Sequence, residues 1–357
     1  MNRKNHVSAI SILVLLATVF ILVLSGGLFT GCAQKKSLTI YTWAGMFPQS
    51  ILDGFEKETG FRINYVNFDY DETMLTKLES TKGSGYDLVI ADDYIIETAI
   101  EMGLAQKLDK SKLPNYGNIN PIYQKQFYDP LDEYTVPYGA GVQTIVYDPN
   151  RVTINISGYN DLWDPSLRNS VGIIDNYRVI GGMALKILGK SYNTLNIFDI
   201  REAGTRLLSL APNIRLIKDD RLEEDLLSGE ISVGVMYTSQ VTMAMIQKPT
   251  LKIVYPSEGI GFGIMAGFIP SGAANPDTAH AFLNYIMDPR RGAECFENLG
   301  YYSTYSASDP YISTAYKEFL TLPYGFNKNM EMIQNVSPEA EEEHSLNWTV
   351  FKAAAGR

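Results

Sequence analysis

Two adjacent carboxylates and a tyrosine stand together at the end of one short apolar segment. Leu88–Ala91 is typical of a strand buried on both faces, and Asp92, Asp93 and Tyr94 follow it at the start of a helical pattern. In an open α/β sheet, ligands bind beyond the carboxyl ends of strands. Two acids beside an aromatic ring therefore indicate a site for a cation. The alternative is structural: either acid could cap the helix, and Tyr94 could pack as a half-buried ring.

Alternating strands and helices would position this stretch. Strand, helix, strand, helix, strand in the first part of the chain predicts a parallel sheet covered on both faces. A second α/β unit begins near Asp148. Between the two units, Gly139–Gly141 is a flexible spot suited to a crossing between lobes, with a strand-like segment on each side. The predicted strands are 38–42, 62–68, 88–91, 134–138, 143–147, 171–175, 214–218, 231–237, 251–255 and 264–269.

Length and composition limit the class of protein. The chain has 357 residues, enough for two lobes of ordinary domain size, and 45% of them are hydrophobic. The formal net charge is −10, which argues against nucleic acid as a partner because such a partner needs a basic face. The same charge is compatible with a cationic ligand.

The N-terminus has the pattern of an exported segment. Arg3 and Lys4 precede an apolar run over 9–24, and small residues follow it up to Gly31. Cys32 directly after Gly31 resembles the lipobox of bacterial lipoproteins, where the cysteine is acylated, although Phe29 stands where leucine is usual. A retained transmembrane anchor is the alternative, since the run is long. Both interpretations place the folded part outside the cytoplasmic membrane, and we expect a periplasmic lipoprotein anchored to the membrane.

Cysteines and histidines offer no metal or disulfide framework. If Cys32 carries lipid, Cys295 has no partner. The three histidines form no cluster with zinc-ligand spacing, and His6 leaves with the signal peptide. We therefore expect no metal and no cofactor.

Short segments along nearly the whole chain after residue 37 resemble the spermidine/putrescine-binding proteins of bacterial ABC importers. The resemblance implies an α/β Venus-flytrap fold, with two lobes, each a mixed sheet flanked by helices, that close on a ligand in the cleft. It also implies docking of a monomer on a membrane permease. The segments are 40–43, 55–60, 71–78, 86–89, 108–113, 161–163, 183–185, 300–301 and 355–357. From the resemblance we predict these boundaries: signal peptide 1–31, tether 32–37, lobe 1 over 38–141 plus 264–309, and lobe 2 over 142–263 plus 310–357.

In this family an aromatic box holds the polyamine chain and acids hold its ammonium ends, which suits the chemistry of a cation. Four aromatic residues stand at the positions of the family's box: Trp43, Tyr94, Tyr237 and Tyr301. Tyr237 replaces a tryptophan of the family, and Gly263 stands where the family has a second tryptophan. Family acids are missing at Gly45, Asn176, Val179 and Met265, whereas Asp92 replaces a serine. The ligand-binding residues that the resemblance implies are Trp43, Asp92, Tyr94, Asp175, Asn176, Tyr237, Tyr301 and Glu339.

Other functions remain open from the sequence. A polyamine site with relocated acids competes with a site for a different small amine or an amino-acid-like ligand. A non-transport surface lipoprotein is a further alternative. We expect no enzyme, because no histidine sits in a catalytic context and no Gly-x-Ser-x-Gly elbow occurs. Asp92 and Asp93 are adjacent, so their side chains should point apart, which is poor geometry for a catalytic pair.

Overall fold

Alternating side chains in the first strands build a core on each face of one sheet. Leu38, Ile40 and Ile90 pack on one side, whereas Tyr41 and Val89 pack on the other. The computed structural model describes residues 37–320 and 330–356. The predicted signal peptide and the lipid-attachment residue Cys32 lie outside these residues.

The described strands form one continuous pairing path through the molecule. Its order is β2-β1-β3-β9-β4-β7-β5-β6, with β10 beside β9 and β8 beside β4. The strands are β1 Ser37–Thr42, β2 Arg62–Asn67, β3 Leu88–Asp92, β4 Thr135–Tyr147, β5 Val171–Ile173, β6 Ile214–Ile217, β7 Val233–Tyr237, β8 Lys252–Val254, β9 Ile260–Phe268 and β10 Met330–Met332.

Helices cover both halves of this path. Those of the first half are α1 Gln49–Thr59, α2 Asp71–Thr81, α3 Asp93–Glu101, α8 Pro276–Ile286 and α9 Pro289–Leu299. The others are α4 Tyr177–Ile187, α5 Ile197–Leu208, α6 Leu222–Ser228, α7 Thr238–Gln247, α10 Thr314–Leu320 and α11 Pro338–Ala354. Within residues 37–320 and 330–356, no helix is both long and apolar enough to cross a membrane.

The sheet is mixed, with two separate groups of three parallel strands and a further parallel pair, β9 and β10. β1, β2 and β3 are parallel to one another, and so are β5, β6 and β7. The antiparallel strands β9 and β4 stand between the groups. The second group has its own apolar core, which includes Ile173, Val235 and Phe351. Each half is therefore a mixed sheet with helices, as predicted.

The crossing between the halves differs from the prediction in one respect. We expected two strands separated by Gly139–Gly141, but β4 is one strand of 13 residues with an irregularity between Pro137 and Gly139. Its first part pairs with β9 up to Val142, and its second part pairs with β7 from Gln143. The glycines stay extended because β9 supplies hydrogen-bond partners along them. The proposed lobe boundaries at 141/142 and 263/264 fall inside β4 and β9 and remain a prediction.

Candidate ligand-binding site

The carboxyl ends of both parallel groups carry the candidate residues. Trp43 follows β1, and Asp92 is the last residue of β3. In the other half, Asn176 follows β5 by three residues and Tyr237 ends β7. Because neighbouring parallel strands end at the same edge, each group gathers its polar and aromatic side chains in one place. These edges define the candidate site.

Asp92 and Asp93 have different surroundings. Asp92 stands at the N-cap position of α3, but its side chain makes no capping hydrogen bond and the residue is half-buried. The carboxylate of Asp93 is buried instead, and accepts hydrogen bonds from the backbone N–H groups of Tyr94 at 2.8 Å and Ile264 at 2.9 Å. Asp93 thus joins α3 to β9, which leaves Asp92 as the acid available to a ligand.

Two further acids from the start of α2 crowd Asp92. Asp71 is buried, and its Oδ1 accepts the backbone N–H of Asp92 at 3.4 Å. Burial raises the pKa of Asp92, and the charge of Glu72 raises it further. Burial also raises the pKa of Asp71, and the charge of Asp92 adds to the shift. A cation beside this group would relieve the repulsion between its carboxylates.

Three acids side by side also raise the question of a metal. Within 37–320 and 330–356, no group of three or more His, Cys, Asp or Glu side chains is placed to hold a metal ion. The cluster at Asp71, Glu72 and Asp92 therefore does not supply a metal-ligand geometry. An ammonium group fits these carboxylates better than a metal ion does, because it can donate hydrogen bonds to one or two oxygens without a complete set of ligands around it.

Of the predicted rings of the first half, Tyr94 contacts this acidic group directly. The Tyr94 hydroxyl donates to Glu72 Oε1 at 3.0 Å, which fixes the ring above α2. Burial, followed by the charges of Asp71 and Asp92, raises the pKa of Tyr94. Trp43 is half-buried and its ring centroid lies 4.9 Å from that of Phe68. Tyr94 therefore stays a neutral donor beside the carboxylates at neutral pH.

Asn176 and Tyr237 form a linked pair in the second half. The Asn176 Nδ2 donates to the Tyr237 hydroxyl at 3.0 Å. The Asn176 Oδ1 caps α4, because it accepts the backbone N–H groups of Arg178 at 3.1 Å and Val179 at 3.0 Å. The amide oxygen is thus used by the helix cap, and one of the two amide N–H groups orients the Tyr237 hydroxyl. A direct contact of Asn176 with the ligand remains a prediction.

Tyr301 packs against the crossing strand. A Cβ on Gly141 would lie 2.6 Å from the Tyr301 ring, so only glycine allows this close approach. Burial raises the pKa of Tyr301 to about 12, a hydrogen bond with Ser239 opposes the shift, and the charges of Asp92 and Asp219 add to it. Carboxylates from both halves thus influence the pKa of Tyr301.

Asp175 and Glu339 are placed differently from the other predicted residues. The Asp175 Oδ1 accepts from Trp348 Nε1 at 3.0 Å and from Lys352 Nζ at 3.2 Å, so α11 already satisfies it. Glu339 is exposed in the first turn of α11. Its neighbour Glu341 forms an ion pair with Arg178 at 3.5 Å. The role of Asp175 and Glu339 in ligand binding remains a prediction.

Asp219 is an acid in the site that the sequence analysis did not single out. It lies two residues after β6, at the same edge of the sheet as Asn176 and Tyr237. Asp219 is exposed to solvent, but neighbouring protein atoms partly remove water from its carboxylate and raise its pKa to about 6, and the charge of Asp175 contributes. Its position after a predicted strand, followed by a helix, was the same signal that pointed to Asp92.

The sequence of this chain matches a known protein family over most of its length. A family of bacterial extracellular solute-binding proteins matches residues 50–319, and this chain belongs to that family. Such proteins are solute-binding components of transport systems.

Individual relatives narrow the comparison. The spermidine/putrescine-binding periplasmic protein of Salmonella typhimurium is 33% identical, over 75% of this chain and 78% of that protein. The putrescine-binding periplasmic protein PotF of Escherichia coli is 28% identical, over 91% of this chain and 93% of that protein. The spermidine/putrescine substrate-binding protein PotD of Streptococcus pneumoniae matches with a TM-score of 0.81 and 27% identity, over 90% of this chain and 99% of the other. These likenesses confirm the predicted family and the two-lobed fold.

Proposed function

We propose that this chain is the extracytoplasmic substrate-binding component of an ABC importer and that it binds polyamines such as putrescine or spermidine. The observation that carries the proposal is the half-buried Asp92, which makes no capping bond at the carboxyl end of β3 and directly precedes Tyr94. Its charge also contributes to the raised pKa of Tyr237 and Tyr301. Relatives with this fold are spermidine/putrescine-binding periplasmic proteins by name.

The chemistry of a polyamine fits these surroundings. An ammonium group removed from water needs a charged acceptor, and Asp92 supplies one. The methylene chain packs on ring faces, and those faces also attract the positive ends. Trp43, Tyr94, Tyr237 and Tyr301 are the walls of the box in this proposal. Because the walls come from both lobes, a bound polyamine favours the closed form.

The remaining features of the proposal concern the setting. Cys32 carries lipid and anchors the protein to a membrane, with the folded part outside the cytoplasm. The closed form docks as a monomer on a membrane permease. The protein carries its ligand and does not transform it, so no turnover of an amine is expected.

Calorimetry on the full-length chain in mild detergent tests the proposal. Putrescine, spermidine, a panel of other small amines and a panel of amino acids would each be titrated at pH 7.5. Saturable submicromolar binding of a polyamine supports the proposal. Tight binding of an amino acid or another amine with no response to polyamines would show a different ligand class. No heat from any member of the panel would favour the surface-lipoprotein alternative.

A further inference from the structure

Asp219 is held in place by its backbone and its carboxylate. Its carbonyl oxygen accepts a hydrogen bond from Gln240 Nε2 at 2.7 Å. Its carboxylate accepts the backbone N–H of Asp175. Gln240 belongs to the first turn of α7, the helix that begins directly after Tyr237. The side chain is thus fixed beside the second-lobe edge of the site, and it remains exposed there.

Asp219 and Asp92 act on the same two rings. The pKa of Tyr237 is raised by burial, then by the charge of Asp219, and the charge of Asp92 also contributes. The pKa of Tyr301 is likewise raised by burial and by both carboxylates. Asp92 belongs to the first half of the molecule and Asp219 to the second. Each carboxylate stands at or just beyond the carboxyl end of a strand in its own half, Asp92 at the end of β3 and Asp219 two residues after β6. The charge of each contributes to the raised pKa of both rings.

The cations near Asp219 are paired with other acids. Lys218 Nζ lies 2.5 Å from Asp225 Oδ2, and Arg221 pairs with Glu224. Lys352 lowers the pKa of Asp219 slightly by its charge, but its Nζ is bound to Asp175. In the part of the chain that the structure describes, no lysine, arginine or histidine forms an ion pair with Asp219. Its negative charge is thus left for a partner from outside the chain.

We propose that Asp219 holds a second ammonium group, so that the site selects a linear diamine whose two ends lie on Asp92 and Asp219. The inference rests on the proposed function. A monoamine would neutralise only one of the two carboxylates and leave the other unpaired. A diamine neutralises both, and its methylene chain runs along Tyr237 and Tyr301. Since the carboxylates belong to different lobes, the diamine also links the lobes directly.

Substitution of Asp219 tests this assignment with two matched ligands. Putrescine and n-butylamine have the same four-carbon chain and differ by one ammonium group. In the full-length chain, Asp219→Asn should weaken putrescine binding by at least about 30-fold at pH 7.5, while n-butylamine affinity changes less than about 3-fold. Asp219→Glu keeps the charge and should retain most of the preference for putrescine.

Asp220→Asn is the matched control, because it removes one acid from the next position, which is also exposed. It should leave the affinity for both ligands unchanged. Thermal unfolding of each variant reports whether the fold is kept. Equal putrescine affinity in Asp219→Asn and Asp220→Asn would overturn the assignment while leaving the proposed function in place. A wild-type chain that binds no amine at all would instead remove the proposed function.

The pH dependence gives an independent readout. Protonation of Asp219 removes its charge, so putrescine affinity should fall as the pH drops through about 6. Asp92, Asp71, Glu72, Asp175, Lys352, Tyr237 and Tyr301 are the other titratable groups that face the site. Asp219→Asn lacks only the contribution of residue 219, so its affinity should change less between pH 7.5 and 5. An unchanged pH profile in that variant would contradict the inference.

Discussion

Asp92 and Asp93 are neighbours in the chain but serve different purposes. The Asp93 carboxylate accepts two backbone N–H groups and is inaccessible to a ligand. Asp92 occupies the cap position without capping, beside Asp71 and Glu72. The Asp92 carboxylate does not bind the backbone N–H groups of α3, so its charge remains available to a ligand. This division also separates the two carboxylates in the way that the sequence predicted.

Substitution of Asp92 should weaken polyamine binding strongly. Asp92→Ala leaves one ammonium group buried without its acceptor, at a cost of about 2–4 kcal/mol. Calorimetry with putrescine measures this loss. Asp69→Asn is a suitable control, because Asp69 is an exposed acid in the loop before α2. If Asp92→Ala binds as tightly as Asp69→Asn, the acceptor of the ammonium group lies elsewhere.

Asp71 should cost the ligand-free protein stability at neutral pH. Its pKa in the folded state is raised above the ordinary value of 3.8. The folded state therefore binds the proton more tightly than the unfolded chain, so this contribution favours folding at acidic pH and is lost as the pH rises. Asp71→Asn removes the charge and should raise the free energy of unfolding at pH 8 by about 1–3 kcal/mol.

Denaturant unfolding at pH 4 and pH 8 measures this effect. At pH 4 the gain from Asp71→Asn should be much smaller, because this pH is close to the ordinary pKa of 3.8, so the unfolded chain already carries much of the proton that folding would otherwise have to take up. Asp69→Asn should change stability little at either pH, since that residue is exposed. A variant that gains equally at both pH values would show that the effect of Asp71 is not electrostatic.

At the same scale, the sequence predicted some site residues better than others. Asp92 and the rings could be named because each follows a recognisable strand or matches a family position. Asp219 was missed although it also follows a strand, because the resemblance directed attention to other positions. The partners of Asp175 could not be predicted either, since Trp348 and Lys352 lie more than 170 residues further along the chain.

At the scale of elements, the segment after β10 connects the two halves near the site. Asn193 Oδ1 accepts the backbone N–H of Gln334 at 2.8 Å, which holds this segment to the second half. The next residue, Asn335, donates from Nδ2 to the Tyr94 carbonyl at 3.0 Å and to Glu97 Oε2 at 3.0 Å. These bonds fasten the segment to α3, the helix that begins after Asp92.

Removal of the Asn335 amide should therefore weaken binding without a contact to the ligand. Asn335→Ala loses the bonds to α3, which destabilises the closed arrangement by about 1–2 kcal/mol and lowers putrescine affinity to a similar extent. Gln334→Ala is the matched control, because it shortens the adjacent side chain and keeps the backbone hydrogen bonds of that residue. Equal affinities in the two variants would exclude a role of Asn335 in closure.

The elements themselves were largely predictable from local patterns. β1, β2 and β3 begin and end within one residue of the predicted bounds, and a helix follows each strand as predicted, because short apolar runs alternate with helical periodicity there. The continuity of β4 could not be predicted in the same way. Its glycines suggest a break, and only the pairing with β9 on the other side keeps them in one strand.

At the scale of the whole molecule, one pairing path joins both lobes. β4 pairs with β9 in its first part and with β7 in its second, so the two halves share a backbone element rather than a loose linker. The pairing order could not be read from the sequence, because it joins strands as distant as β3 and β9. The resemblance to a two-lobed family predicted a mixed sheet in each lobe, but it did not give the order of the strands.

A ligand that bridges the lobes should stabilise the molecule as a unit. Putrescine at 100 times its dissociation constant should raise the free energy of unfolding by about 2.7 kcal/mol. For a chain of this size the midpoint of thermal unfolding should rise by about 4 °C. Differential scanning calorimetry measures this shift, and Asp92→Ala should show a much smaller one at the same putrescine concentration. A shift of equal size in both proteins would indicate binding outside the cleft.

The crowded carboxylates of Asp71, Glu72 and Asp92 have a practical consequence for handling the protein. Cells contain amines, and we expect protein purified at neutral pH to retain bound amines throughout chromatography. In a brief wash with acidic buffer, Asp71 and Asp92 take up protons and the bound amine is released. The fold should tolerate this exchange, because the surroundings of both residues raise their pKa. Return to neutral buffer without amines should then yield empty receptor ready for titration, with no need for unfolding in denaturant.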